Sequence, residues 1–104
     1  MNVTKIAIVG AGTMGSGIAQ VAATSGYQVT MIDVAPEPLA RGHAAIARSV
    51  DKLHSKGRLT DEQKEAAASI VATTDLSAAA PADLVVEAVV EKLAVKQELF
   101  ASRR

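Results

Sequence analysis

A glycine-rich turn between two apolar strands constrains the fold of this chain more than any other feature. Residues 6–9 form a continuous apolar run, which is typical of a strand that is buried on both faces of a parallel sheet. A turn of three glycines, a helical pattern and a second strand over 28–32 follow. Parallel strands need a crossover connection, and here the connection is a helix. The pattern predicts an α/β fold with a parallel sheet.

The turn itself, residues 10–15, has the glycine spacing of a dinucleotide-binding unit, and the strand and helix on either side supply the required context. Gly10 permits the tight turn, Gly12 permits close approach of a pyrophosphate, and Gly15 permits the helix to pack against the strand. The helix amino terminus then offers free N–H groups to the phosphates. A further glycine, Gly17, predicts close packing at the first helical turn. The alternative is a glycine turn without a ligand. The predicted cofactor contacts are Gly10, Ala11, Gly12, Thr13, Met14 and Gly15.

Asp33 ends the second strand, about 18 residues after Gly15. A carboxylate at this point accepts hydrogen bonds from the adenine-ribose hydroxyls and repels a 2′-phosphate. The sequence therefore favours NAD over NADP as the cofactor. Aspartate is also a good helix cap, so capping of the following segment is the alternative, and one residue can do both.

The first helix has an apolar pattern that predicts which side packs on the sheet. Gly26 is expected to end this helix in the left-handed conformation. The residues predicted to face the sheet are Met14, Ile18, Val21, Ala22 and Ser25.

A long helix is predicted over 36–56, beginning at two prolines and ending before Gly57. Its apolar side carries Leu39, Ile46, Val50 and Leu53, and four cations on another side define the basic stripe: Arg41, Arg48, Lys52 and Lys56. The stripe could bind an anionic, phosphate-bearing substrate, or it could be a solvated helix face. His43 is expected to pack near the apolar side. His54 lies in the last turn, and the spacing gives neither histidine a carboxylate partner.

The rest of the chain adds a short helix and two strands. Thr60 and Gln63 form a capping box for a helix through Ala68, a brief strand follows at 70–72, and residues 74–82 connect to a central strand at 84–89. Helical patterning resumes at Glu91. Glu87 and Glu91 flank the carboxyl end of the fourth strand, where either could contact a ribose or cap the next helix. The prediction is a Rossmann-type sheet of about four strands, incomplete, with a helical excursion over 36–68.

Composition narrows the function classes. The formal net charge is zero, with 11 basic and 11 acidic residues, so nothing drives binding to nucleic acid or an anionic membrane. The absence of cysteine excludes disulfides and thiolate metal sites, and no metal site is predicted. No apolar run approaches a membrane span of roughly 20 residues, and no signal peptide is evident. These features predict a cytoplasmic protein.

Three stretches resemble the N-terminal NAD-binding domain of the 3-hydroxyacyl-CoA dehydrogenase family, and within it the 3-hydroxybutyryl-CoA branch. They are IAIVGAGTMGSGIAQVAATSGYQVTMID, the long basic helix, and DLVVEAVVEKLAVKQELF at 83–100. The resemblance implies oxidation of an (S)-3-hydroxyacyl-CoA with hydride transfer from C3 to NAD. It implies that Glu91 and Lys96 contact NAD, and that Ser49 and Lys56 contact the CoA moiety. An acyl-CoA substrate is the implied partner.

The same resemblance implies what residues 1–104 do not contain. As one NAD-binding domain, the chain is expected to lack the family's catalytic histidine and its partner glutamate, which follow a VKQELF-type segment. The C-terminal helical domain, which supplies the family's homodimer contacts, is also expected to be absent. We expect the chain alone to be catalytically inefficient, and its fourth strand to have an unpaired edge that favours self-association. The alternatives are a non-catalytic module that binds NAD or CoA, and a different NAD enzyme such as a sugar-acid dehydrogenase, which the 83–100 stretch disfavours.

Overall fold

A computed structural model describes residues 3–88 and shows a four-stranded parallel sheet. The strand order is β3-β2-β1-β4. β2 and β3 follow on one side of β1, and β4 pairs with the other edge of β1. The predicted Rossmann-type sheet is confirmed. The strands are β1 (Lys5–Val9), β2 (Gln28–Ile32), β3 (Val71–Thr73) and β4 (Leu84–Glu87).

Three helices pack against one another and against the sheet: α1 (Thr13–Thr24), α2 (Pro36–Ser55) and α3 (Asp61–Ala68). Two of their ends are set by glycines with positive φ, since Gly26 has φ +102° and Gly57 has φ +73°. The capping box of α3 is confirmed. The Thr60 hydroxyl accepts a hydrogen bond from the Gln63 N–H at 3.1 Å, and the Gln63 side chain accepts one from the Thr60 N–H at 2.9 Å.

The prediction for the side of α1 that packs on the sheet was wrong. Met14 is 49% exposed, Val21 is 66% exposed and Ser25 is exposed as well. Of the predicted residues only Ala22 is buried, while Ile18 is partly buried. The buried side of α1 is made of smaller residues, because close approach to the sheet selects side-chain size over hydrophobicity. They are Gly15, Ser16, Ala19, Ala22 and Ala23.

The apolar side of α2 is confirmed, since Leu39, Ile46 and Val50 are buried and Leu53 is partly buried. These residues join a core with Ile8 of β1 and Met31 of β2, both of which are fully enclosed. The core therefore lies between the sheet and the helices.

β4 is reached by a connection that contains a short 3₁₀ helix, Leu76–Ala79. The Asp83 carboxylate accepts hydrogen bonds from the backbone N–H groups of Thr4 (2.8 Å) and Lys5 (2.9 Å), which fixes the start of β4 beside the start of β1. The prediction of a central fourth strand is not met within residues 3–88, because there β4 pairs with β1 alone. No helix in the described part of the chain is both long and apolar enough to span a membrane.

Candidate functional site

The glycine turn, residues 10–15, lies where β1 ends. Gly10 has φ +109°, a conformation that L side chains rarely adopt. Its N–H donates to the Ile32 carbonyl of β2 at 2.6 Å. The turn is therefore continuous with the β1–β2 ladder, and the predicted requirement for glycine at this position is confirmed.

The other three glycines of this segment differ in how much space surrounds them. A Cβ on Gly15 would collide with the Gly10 carbonyl group, which supports its assignment to close helix–strand packing. A Cβ on Gly12 would meet no heavy atom within 4 Å, so the space beside its backbone is open to a ligand. Gly17 is also exposed and open. The prediction of close packing at Gly17 was therefore wrong.

The first turn of α1 leaves backbone donors available for an anion. Gly12 is the N-cap residue and supplies no side-chain hydrogen bond to the helix. The first turn of α1 contains no acidic residue, so no side chain of that turn opposes negative charge. Thr13 and Met14 are exposed beside it. Open space at Gly12, uncapped N–H groups and the positive end of the helix dipole together fit a pyrophosphate.

Asp33 lies directly beside the glycine turn. One carboxylate oxygen, Oδ2, accepts a hydrogen bond from the Ala11 N–H at 3.0 Å, and Oδ1 accepts one from the Ala35 N–H at 3.1 Å. Ala35 is the N-cap residue of α2. Asp33 thus joins the turn to the segment before α2. The alternative that Asp33 caps this helix was wrong, because Ala35 is the N-cap residue and no side chain caps the helix.

Ser49 lies on α2 and Lys56 is the C-cap residue that follows it, seven positions later, so the two lie on the same side of the helix about 10 Å apart along its axis. Ser49 is partly buried at the boundary with α1, where its hydroxyl accepts a hydrogen bond from Gln20 Nε2 at 3.0 Å. Lys56 is exposed at the end of α2, as are the other members of the basic stripe. Within the described residues only Arg41 of the stripe is in an ion pair, with Glu37 at 3.9 Å.

The two histidines differ from their predicted settings. His43 is exposed rather than packed. His54 does meet a carboxylate, because Nε2 lies 2.6 Å from Oδ1 of Asp61, the first residue of α3. The spacing concealed this pair, since the turn after Gly57 brings α3 back beside α2. Its exposed position is that of a surface contact between two helices.

Of the three charged candidates near the end of β4, the structure describes only Glu87. Glu91 and Lys96 lie outside the described residues. Glu87 is exposed at the end of β4, opposite Val9 in the parallel register. The carboxyl ends of β1 and β4 therefore meet beside the glycine turn, as the Ala88 N–H bond to the Val9 carbonyl at 2.8 Å also shows.

Two residues of this region were missed by the sequence reasoning. Gln20 joins α1 to Ser49, and no pattern in the sequence indicates that pairing. Gly42 is buried on α2, between Leu39 and Ile46 on the apolar side. A glycine inside an apolar helical stripe was a usable signal, because it marks a place where another part of the backbone approaches closely.

Comparison with known proteins identifies the family. The family model for the 3-hydroxyacyl-CoA dehydrogenase NAD-binding domain matches residues 5–103. A probable 3-hydroxybutyryl-CoA dehydrogenase of Deinococcus radiodurans is 50% identical over 96 residues, covering 92% of this chain and 34% of that protein. The 3-hydroxyadipyl-CoA dehydrogenase of Escherichia coli is 43% identical over 102 residues, covering 97% of this chain and 22% of that protein.

Solved structures agree. The crystal structure of 3-hydroxybutyryl-CoA dehydrogenase from Escherichia coli superposes with a TM-score of 0.83 at 43% identity, covering 98% of this chain and 22% of that one. The (S)-3-hydroxybutyryl-CoA dehydrogenase of Ralstonia eutropha gives a TM-score of 0.82 at 37% identity, covering 95% and 35%. The chain thus spans about a third or less of the length of these relatives. It belongs to the 3-hydroxyacyl-CoA dehydrogenase family, and it matches the NAD-binding domain of that family.

Proposed function

We propose that this chain holds NAD for hydride transfer from C3 of an (S)-3-hydroxyacyl-CoA, with 3-hydroxybutyryl-CoA as the substrate. The observation that carries this proposal is the 3.0 Å hydrogen bond between the Ala11 N–H and Asp33 Oδ2. It places the acid proposed to bind the ribose next to the turn proposed to bind the pyrophosphate. When bound, NAD supplies the hydride acceptor, and the residues of this chain bind and orient it.

In this proposal, Gly10, Ala11, Gly12, Thr13, Met14 and Gly15 line the pyrophosphate site, and Asp33 binds the adenine ribose. Both oxygens of Asp33 already accept one backbone N–H. An ionised carboxylate has about four lone-pair sites, so capacity remains for the ribose hydroxyls. Its negative charge disfavours a 2′-phosphate, which explains a preference for NAD over NADP.

We further propose that Ser49 and Lys56 contact the CoA moiety. The Ser49 hydroxyl accepts its hydrogen bond from Gln20, and its own proton therefore remains available to donate to a phosphate oxygen. Lys56 is exposed and has no ion-pair partner among the described residues. Two donors on one side of α2 fit an elongated, phosphate-bearing ligand, and the basic stripe adds attraction to it.

The remaining roles follow from family membership. Glu91 and Lys96 are proposed to contact NAD. The catalytic acid–base residues and the homodimer contacts are proposed to belong to the part of the relatives that this chain does not match. General acid–base groups contribute about 10²–10⁴-fold to rate, so we propose that the 104-residue chain alone oxidises 3-hydroxybutyryl-CoA poorly.

Isothermal titration with NADH and NADPH tests the cofactor assignment. NADH is expected to bind about tenfold more tightly, because Asp33 repels the 2′-phosphate. Equal affinities would contradict the role of Asp33, and the absence of NADH binding would contradict the proposed function. NADH formation from 3-hydroxybutyryl-CoA is measured on the same sample. Turnover close to that of a full-length relative would contradict the proposed dependence on other catalytic residues.

A charge-matched pair of variants tests the CoA assignment. Lys56→Gln is expected to weaken acetoacetyl-CoA binding severalfold while NADH binding is unchanged. Lys5→Gln is the control, because Lys5 is an exposed cation on β1 that is not a member of the basic stripe. If both variants bind acetoacetyl-CoA as the unmodified chain does, the basic stripe is only a solvated helix face.

A further inference from the structure

The backbone of Ala11 in the glycine turn is contacted on both sides of its Cα atom. Its N–H donates to Asp33 Oδ2 at 3.0 Å. Its carbonyl oxygen faces α2 at Gly42, so closely that a Cβ on Gly42 would lie 2.7 Å from it. Ala11 is itself only 2% exposed. The two peptide groups that flank the Ala11 Cα are therefore each held by one contact, the Gly10–Ala11 group by Asp33 and the Ala11–Gly12 group by the close approach of α2.

No side chain fits at Gly42. Besides the Ala11 oxygen, the added Cβ would lie 3.4 Å from Met31 Cε and 3.4 Å from Ser16 Cβ. The nearest obstacle is a backbone oxygen, which cannot rotate away as a flexible side-chain end can. An alanine here must displace either α2 or the turn.

Ser16, which follows the glycine turn on α1, also lies close to α2 at Gly42. It is buried, and its hydroxyl donates to the Gly12 carbonyl at 2.9 Å. The closeness of its Cβ to the space beside Gly42 means that α2 passes over both the Ala11 carbonyl and Ser16 in the first turns of α1. α2 therefore packs behind the part of the turn that we propose faces the pyrophosphate.

We propose that Gly42 is a positioning residue for the pyrophosphate site, acting through the Ala11–Gly12 peptide group, while Asp33 holds the preceding peptide group. The proposal rests on the proposed function, because it concerns the site that holds NAD. Gly42 does not touch the ligand. It lets α2 approach closely enough that the Ala11 carbonyl has one allowed direction, and because the Gly12 N–H belongs to the same planar peptide group, the direction of that donor is fixed as well.

The test compares Gly42→Ala with Gly17→Ala, since both put an alanine inside a helix but only Gly42 lacks space. ADP-ribose and adenosine are titrated into each folded variant and followed by NMR. Gly42→Ala is expected to weaken ADP-ribose by about tenfold and to leave adenosine within about twofold, because adenosine lacks the pyrophosphate. Gly17→Ala should leave both affinities unchanged. A purely structural role for Gly42 predicts that ADP-ribose and adenosine weaken together.

A measurement without ligand separates this inference from the proposed function. Amide hydrogen exchange of Ala11 is expected to be about tenfold faster in Gly42→Ala, relative to the Val29 amide of β2 in the same sample, and unchanged in Gly17→Ala. If ADP-ribose does not bind the unmodified chain, the proposed function fails and the exchange result still decides the role of Gly42. Unchanged Ala11 exchange in Gly42→Ala would overturn the inference.

A second variant covers the case in which Gly42→Ala does not fold. Asp33→Ala adds no atoms to the core and removes the acceptor of the Ala11 N–H, so Ala11 exchange should rise in a folded chain. Asp33→Asn retains a side-chain oxygen that can accept the same bond, and it should restore protection. Equal exchange of the Ala11 amide in Asp33→Ala and in the unmodified chain would show that Asp33 does not hold the Ala11 N–H, and would overturn the inference.

Discussion

The glycine turn and the α2–α3 hairpin are held together in opposite ways. At the turn, contacts are made by backbone atoms packed without room for a Cβ, as at Gly15 and Gly42. Between α2 and α3, exposed side chains make the polar contacts, outside the apolar core that Ile46, Val50 and Ala67 share. His54 meets Asp61 at 2.6 Å, and Lys64 Nζ lies 3.3 Å from Asp51 Oδ1.

The difference teaches where substitutions are tolerated. Backbone packing cannot relax by a rotamer change, so one methyl group is enough to disturb the turn. Exposed ion pairs contribute little, since solvent screens them and ordering two long side chains costs entropy. We therefore expect the backbone packing at Gly15 and Gly42 to tolerate less change than the exposed side-chain pairs between α2 and α3.

The largest effect is expected from Gly15→Ala. The new Cβ would collide with the Gly10 carbonyl group, and overpacking of this kind lowers the free energy of unfolding by about 3 kcal/mol. Gly17→Ala is the control and should be neutral or stabilising by up to about 1 kcal/mol, because alanine favours helix. Urea denaturation followed by circular dichroism measures both. Similar midpoints for the two variants would break the comparison at the turn.

A smaller effect is expected from Thr60→Ala in the hairpin. The substitution removes the hydroxyl that accepts the Gln63 N–H and should lower the free energy of unfolding by about 1 kcal/mol. Thr74→Ala is a matched control at an exposed threonine outside the helices. The same denaturation experiment applies, and a loss as large as that of Gly15→Ala would show that the hairpin is not the tolerant region.

Lys64→Met should change stability by less than about 0.5 kcal/mol. The Lys64–Asp51 pair is exposed, with side-chain exposures of 45% and 67%. Lys52→Met is the control, because Lys52 is exposed on α2 and has no ion-pair partner among residues 3–88. A loss above 1 kcal/mol relative to that control would mean that surface charge pairs hold the hairpin more strongly than solvent screening allows.

At low pH, the fold should lose a small stabilising contribution from ionised carboxylates, among them Asp83 at the amino ends of β1 and β4. Hydrogen bonds from the backbone N–H groups of Lys5 and then Thr4 lower the pKa of Asp83 below its ordinary value of 3.8. The pKa of Asp75 is lowered by hydrogen bonds from the Ser77 side chain and backbone. Groups with a lowered folded-state pKa stabilise the fold above about pH 4 and lose that contribution as pH falls through the folded-state pKa.

Thermal unfolding measured from pH 6 down to pH 2 tests this contribution. The melting temperature of the unmodified chain should fall in the acid range, and that of Asp83→Asn should start lower and fall less. The difference between the two chains is expected to be small, because Asp83 is exposed. Parallel acid profiles would show that the bonds to Thr4 and Lys5 do not favour the ionised carboxylate.

Much of the fold could be predicted because local patterns carried it. The Gly57 helix end and the Thr60 capping box were confirmed, since each depends on residues within one turn of the chain. The buried side of α1 could not be predicted by hydrophobicity, because Ala19 and Ala23 are buried where Met14 and Val21 are not. Only the distance between α1 and the sheet decides that small side chains are needed there.

At the candidate site, the backbone geometry of the glycine turn was predicted from the sequence, and the binding roles of its residues stay predictions. The role of Gly10 in the turn and that of Gly15 in close packing were both readable from the fingerprint and are confirmed. The ribose role of Asp33 stays a prediction. The two hydrogen bonds of Asp33 to Ala11 and Ala35 were not foreseen, since they depend on how β2 ends beside the turn.

By itself, the sequence determined the family, the order of strands and helices, and the glycine turn, because each depends on residues that are close together in the chain. The tertiary structure alone decided that Gly42 lies against the Ala11 carbonyl and that His54 meets Asp61. Those contacts join segments that become neighbours only after α2 folds back over the turn and α3 folds back beside α2. Such proximity depends on packing distances, which no local pattern encodes.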